Sequence, residues 1–276
     1  MTSISSSDGT EIAFDRTGDG PPVVLVGGAF SERTFPAMVQ LASRLSARFT
    51  VFNYDRRGRG GSGDTGSATG SSVEREVDDL RAVVAAASGE VSVFGLSSGA
   101  VLALRAAAAG VPMSRLALYE PPFVVDEEGF LPPADLGARI DELLRQRRHG
   151  RAVTTYMKDG MGVPAAMVNL MPLFPGWRRL KRLAPTIPYD YAVMGEDFAG
   201  RPLRASDWSG VGVPTLVLSG ERSPIGLRHG AEAIARVLPA ARHLALAGQN
   251  HMMKPEVVAP VVLEHFTSDS LQASER

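Results

Sequence analysis

The sequence predicts an α/β fold built on a mostly parallel sheet, on three observations. Short β-branched runs alternate with longer Ala/Leu/Arg-rich stretches along most of the chain. The runs are continuously apolar, as strands covered on both faces must be. Each closes on turn-forming residues, so strand and helix follow one another in βα order. At 276 residues the chain is long enough to bury a sizeable core.

Taken in order, "EIAFDR" (Glu11–Arg16) alternates and predicts a hairpin strand with one exposed face. "PPVVLVGG" (21–28), "FTVFNYD" (49–55), "EVSVFG" (90–95), "RLALYE" (115–120), "PTLVLSG" (214–220) and "RHLALAG" (242–248) predict central strands. Helices are predicted over 72–87, with Val73, Val77, Leu80, Val83 and Val84 on one stripe, and over 98–109, 226–238 and 255–266. The stretch 121–206 breaks the rhythm. It has Pro pairs, an arginine-rich helix around Asp135–Arg148 and Met157, Met161, Met167, Met171 and Met194, without a strand signal. It reads as a helical insertion, leaving 1–120 and 207–276 as the core. The polar "TSDSLQASER" at the C-terminal end is expected to fray.

Composition narrows the function. Lys plus Arg number 29 against 30 Asp plus Glu, so no broad attraction to nucleic acid or to an anionic membrane is expected. With no cysteine, disulfides, thiolate catalysis and cysteine-ligated metals are excluded. No apolar run approaches the roughly 20 residues of a membrane helix, and the opening residues lack a secretory pattern. A soluble, cytoplasmic protein acting on a small molecule is expected. No P-loop or metal-ligand cluster is present, so neither cofactor nor metal is expected, and nothing in the sequence sets an oligomeric state.

The strongest motif is "VFGLSSGAV", a G-x-S-x-G centred on Ser97 between an apolar strand and a helix. A turn that sharp exposes the serine hydroxyl beside helix N-terminal amides, while flanking glycines let other backbone approach. Serine then needs a base to take its proton. Of the five histidines, only His251 follows a late strand by a short Gly-containing loop, "LALAGQNHMM".

Together with "VVLVGGAF", "YDRRGRGGSG" and the insertion, these motifs make the chain resemble the α/β-hydrolase-fold superfamily over nearly its whole length. The resemblance implies an eight-stranded, mostly parallel sheet with a helical cap inserted after the sixth strand. It implies Ser97 as nucleophile, His251 as base, and the backbone amides of Ala29 and Ser98 as the oxyanion hole. Phe30 is expected to flank the substrate pocket. Gly27 stands where the family usually has a histidine that supports this loop. "DRRGRG" (55–60) is read as bracing loops through Arg–carboxylate pairs.

The family's usual acid position is held here by Ser223. Glu221 in the same loop is one substitute, and an acid-free site oriented by Ser223, a carbonyl or water is another. Glu120 is favoured, because some relatives carry the acid at that strand end and Pro121 and Pro122 restrict the backbone just after it. A salt bridge from Glu120 to Arg56 or Arg57 is the bland reading. The chemistry that results is hydrolysis of an ester-type bond (carboxylic ester, lactone or thioester) through an acyl-serine. A non-hydrolytic cyclase, lyase or ligand receptor is the alternative.

Overall fold

Five of the six runs read as central strands form the interior of one sheet in the computed structural model, which describes residues 2–65 and 73–268, whereas "RHLALAG" forms its half-exposed edge. Its strands are β1 (Thr2–Ser5), β2 (Glu11–Thr17), β3 (Pro22–Val26), β4 (Thr50–Tyr54), β5 (Ser92–Leu96), β6 (Arg115–Tyr119), β7 (Thr215–Gly220) and β8 (Ala241–Leu246). They lie in the order β1-β2-β4-β3-β5-β6-β7-β8. Only the β1–β2 and β2–β4 pairings are antiparallel. The sheet is thus eight-stranded and mostly parallel, as expected.

Alternation along each inner strand sends neighbours to opposite faces. Val24, Val26, Leu116 and Leu118 pack under α2 (Val73–Ala87), α3 (Ser98–Ala108) and α10 (Ile225–Val237). Val23, Leu25, Ala117 and Leu216 pack under α1 (Pro36–Leu45) and α11 (Pro255–Thr267). Each such Val or Leu removed from water contributes about 1.5–3 kcal/mol.

Two elements were not anticipated. Strand β1 is largely exposed and polar, so it carries no apolar signal. Helix α1 does carry one, with Met38, Leu41, Ala42 and Leu45 buried at helical spacing behind an N-terminal proline. Residues 269–276, most of the tail expected to fray, lie outside the described residues.

Between β6 and β7 the described chain is helical: α4 (Leu136–Arg145), α5 (His149–Thr155), α6 (Ala165–Leu170), α7 (Trp177–Leu183), α8 (Ile187–Met194) and α9 (Ala205–Trp208). A single π-helical turn at Tyr156–Gly160 follows α5. The helix read over Asp135–Arg148 stops at Arg145, and Arg147 takes a left-handed φ of 55° before α5 starts. The segment has its own small core of Leu136, Ile140, Val153, Tyr156, Leu183 and Ile187. Among the described residues no helix is long and apolar enough to cross a membrane.

Helix α11 buries His265 against the sheet, its Nε2 3.0 Å from the Leu116 carbonyl oxygen. Burial pushes this imidazole down from 6.5 to about 4. The unfolded chain therefore takes up a proton before the folded one as pH falls. Stability is full above about pH 6.5 and declines towards pH 4, by on the order of 3 kcal/mol if the whole shift is expressed. Urea midpoints for His265→Gln should be flatter than wild type across that window; parallel curves would remove His265 as the cause.

Candidate active site

Ser97 follows β5 and precedes α3 with φ 55° and ψ −126°, a conformation that L residues seldom adopt. Its amide donates to the Tyr119 carbonyl at 2.9 Å and its carbonyl accepts from the Ala100 amide at 2.8 Å. The flanking glycines are required by close approach. A Cβ on Gly95 would lie 2.5 Å from Ala100 Cα, and one on Gly99 2.5 Å from the carbonyl oxygens of Val26 and Gly27.

One strand over, Glu120 follows β6 with φ 47° and is fully buried. His251 Nδ1 lies 2.7 Å from its Oε2. A carboxylate accepts, so in the neutral ring the contact favours the tautomer with its proton on Nδ1 and its lone pair on Nε2. Oε1 accepts from the Gly220 amide at 2.6 Å and from the Ser223 hydroxyl. Glu120 is thus held by three donors and pairs with neither Arg56 nor Arg57, which bind other carboxylates. Glu221 is exposed, and its amide donates to the Leu246 carbonyl at 3.1 Å.

The turn after β7 also seats the histidine loop. A Cβ on Gly220 would come within 2.4 Å of the Gln249 carbonyl, so only glycine lets that loop pass. The Arg222 amide donates to the Gln249 carbonyl at 2.9 Å, and the Tyr119 hydroxyl to the Asn250 carbonyl at 2.7 Å.

The loop after β3 carries Gly27 where the family usually has a histidine. A Cβ on Gly27 would meet Ser31 Oγ at 2.7 Å. Arginines brace the loop instead: Arg59 Nη1 donates to the Gly28 carbonyl at 2.6 Å, and Arg56 Nη1 to that of Gly27 at 3.3 Å. Both guanidiniums also reach Asp190 of α8, at 2.8 Å, and Arg56 binds Glu76 of α2 through two further bonds. Asp190 in turn accepts from Ser98 Oγ at 2.8 Å. Burial alone would raise the Asp190 carboxyl, but Arg59 and Arg56 outweigh it and hold the group below the usual carboxylate range.

Ala29, Ser97, Ser98 and His251 all line one cavity of about 380 Å³. Its remaining wall is mainly apolar, with Phe123, Val124, Phe130, Tyr156, Met161 and Met194. Phe30 is placed differently from expectation. Its φ of 54° turns the ring into the small core of the helical segment, edge-on to Tyr156 at 5.9 Å between centroids, and Tyr156 lines the cavity in its place. Sequence reasoning missed Tyr156, Asp190 and the bond from Ser223 to Glu120. For Asp190 a signal existed: a lone acid in the apolar helix "IPYDYAVM", facing an excess of arginine in "DRRGRG".

A model of the alpha/beta hydrolase family matches residues 23–261, and the chain belongs to that family. Among solved structures, an alpha/beta hydrolase from Sphaerobacter thermophilus is similar at 47% identity and TM-score 0.89, covering 96% of this chain and 100% of that one. A thermophilic esterase from Thermogutta terrifontis has 23% identity and TM-score 0.66, over 95% of this chain and 96% of that one. The enol-lactonase of Burkholderia xenovorans has 18% identity and TM-score 0.68, over 97% and 100%. These two show a shared fold. No curated protein matches the sequence.

Proposed function

We propose that this chain is a serine hydrolase that cleaves an ester-type bond of a small, largely apolar substrate through an acyl-serine intermediate. The observation that carries the reading is the 2.7 Å contact between His251 Nδ1 and the buried Glu120, beside a cavity that also exposes Ser97. In this reading His251 Nε2 takes the Ser97 proton as Oγ attacks the substrate carbonyl carbon. The amides of Ala29 and Ser98 stabilise the oxyanion, an effect worth about 2.7–4 kcal/mol per donor elsewhere. The leaving alcohol, enol or thiol departs with the proton from His251. Water, deprotonated by the same ring, then bonds to the acyl carbon, the Ser97 Oγ–acyl bond breaks, and Oγ takes the proton back from His251 as the acid leaves. Glu120 fixes the tautomer and offsets the charge on the imidazolium.

Residues 121–206 act as the cap of this site, supplying Phe130, Tyr156, Met161 and Met194 to its wall. The esterase and the enol-lactonase, as their names say, act on an ester and an enol lactone, which is in keeping with ester or lactone substrates here. The cavity volume suits a compact acyl group rather than a long lipid chain. A fluorophosphonate probe tests the chemistry. Folded protein should gain one adduct mapping to Ser97, absent from heat-denatured protein and from Ser97→Ala. Folded wild type left unlabelled would favour a non-hydrolytic role.

A further inference from the structure

The nearly balanced overall charge, from which no membrane partner is expected, hides a local separation on the helical segment. From α6 into α7 the side chains of Met167, Leu170, Leu173 and Phe174 are 60, 53, 80 and 61% exposed. Isolated exposed apolar residues are ordinary, but four within one short stretch are not. That stretch starts beside the cavity rim, where Phe130 and Met161 are also exposed.

The same stretch runs straight into a cationic cleft. Arg178, Lys181 and Arg182 lie at i, i+3 and i+4 on one face of α7. Across from them stand Arg147, Arg148, His149 and Arg151, at and before the start of α5, around a shallow cleft of about 620 Å³. The Trp177 ring packs against Gly150 and holds the two helices together. Arg182 is also bound by Glu32. Among the described residues no carboxylate pairs with Arg147, Arg148, Arg151, Arg178 or Lys181, and no acid lines the cleft. Cations clustered this densely repel one another unless an anionic surface meets them.

We infer that this face, the exposed apolar stretch 167–174 with the adjoining cationic cleft, docks the protein reversibly on an anionic lipid surface. An apolar tip flanked by Lys and Arg is the composition that settles at the headgroup–acyl boundary, with the cations held by anionic headgroups. A second copy of the chain on the same face is disfavoured by charge, since a twofold contact would bring the two cationic clefts together. Docked in this way, the cavity rim at Phe130 and Met161 would lie at the side of the lipid surface, within reach of apolar molecules dissolved there. The inference does not depend on the proposed chemistry, because binding is read without turnover.

Flotation with vesicles tests it. At low salt, protein should float with vesicles of phosphatidylcholine mixed with phosphatidylglycerol, at least tenfold more than with phosphatidylcholine alone. High salt should release it. Two double variants on exposed positions outside the cavity should each abolish flotation: Leu173→Glu with Phe174→Glu, and Arg178→Glu with Lys181→Glu. Both should keep the circular dichroism of wild type. No flotation on the anionic vesicles, or flotation that survives both double variants, would overturn the inference. A dimer that the Leu173/Phe174 variant dissociates, in protein that ignores vesicles, would overturn it in favour of self-association.

Discussion

Glu120→Gln is expected to lower ester turnover by about 10⁴-fold, the loss seen elsewhere when an orienting acid becomes an amide and the histidine tautomer is no longer fixed. The expectation follows from the geometry around one carboxylate. Oε2 is the partner of His251 Nδ1, and Oε1 is occupied by the Gly220 amide and the Ser223 hydroxyl. A glutamine oriented by those two donors would present its NH₂ to Nδ1, forcing the ring proton to the wrong nitrogen. Glu221→Gln should change turnover by less than about twofold, as expected of a surface substitution away from the site. Ester kinetics on equally folded variants decide between the two; the reverse ranking removes Glu120 from the site. A relocation experiment goes further. In a Glu120→Ser, Ser223→Asp variant the two side chains exchange chemistries, and turnover should exceed that of Glu120→Ser alone. Failure of the exchange would mean that residue 223 cannot reach the ring.

The second large effect is on folding. Asp190→Asn leaves the fully buried Arg59 guanidinium without an ionised partner and takes one of two carboxylates from Arg56. Breaking a buried pair in this way costs about 3–5 kcal/mol, because the remaining charge stays desolvated. The contrast is Glu142→Gln, whose partner Arg145 is exposed, and which should cost at most about 1 kcal/mol. Chemical denaturation of both variants measures the difference. The Asp190 variant should also lose turnover in protein that is still folded, because Ser98 Oγ and the arginines bracing Gly27 and Gly28 all meet at this carboxylate. Equal stabilities for the two variants would show that the cluster does not hold the helical segment to the sheet.

Much of this architecture was readable because it is local. The inner strands are buried on both faces and so leave uninterrupted apolar runs, whereas exposed β1 left none. The elbow at Ser97 was readable because its backbone path demands glycine at 95 and 99. What spacing could not reveal is pairing across long separations. Asp190 meets Arg56 over 134 positions, and Ser223 meets Glu120 over 103. Phe30 shows a third limit, since position in a loop does not fix side-chain direction. A left-handed φ there sends the ring into the helical segment and leaves the cavity wall to Tyr156.

Phe30, Ser97 and Glu120 share one feature: each is a non-glycine residue with positive φ, close to 50°, near the end of a different strand. Such conformations cost about 1–3 kcal/mol each, and glycine would relieve them. At Ser97 and Glu120 stability and turnover therefore pull in opposite directions, whereas the buried ring of Phe30 outweighs its strain. Variants selected for heat resistance alone should accumulate glycine at 97 and 120, while variants selected for activity should reject it. Comparing the two selections position by position would trace the outline of the working site from the pattern of disagreement.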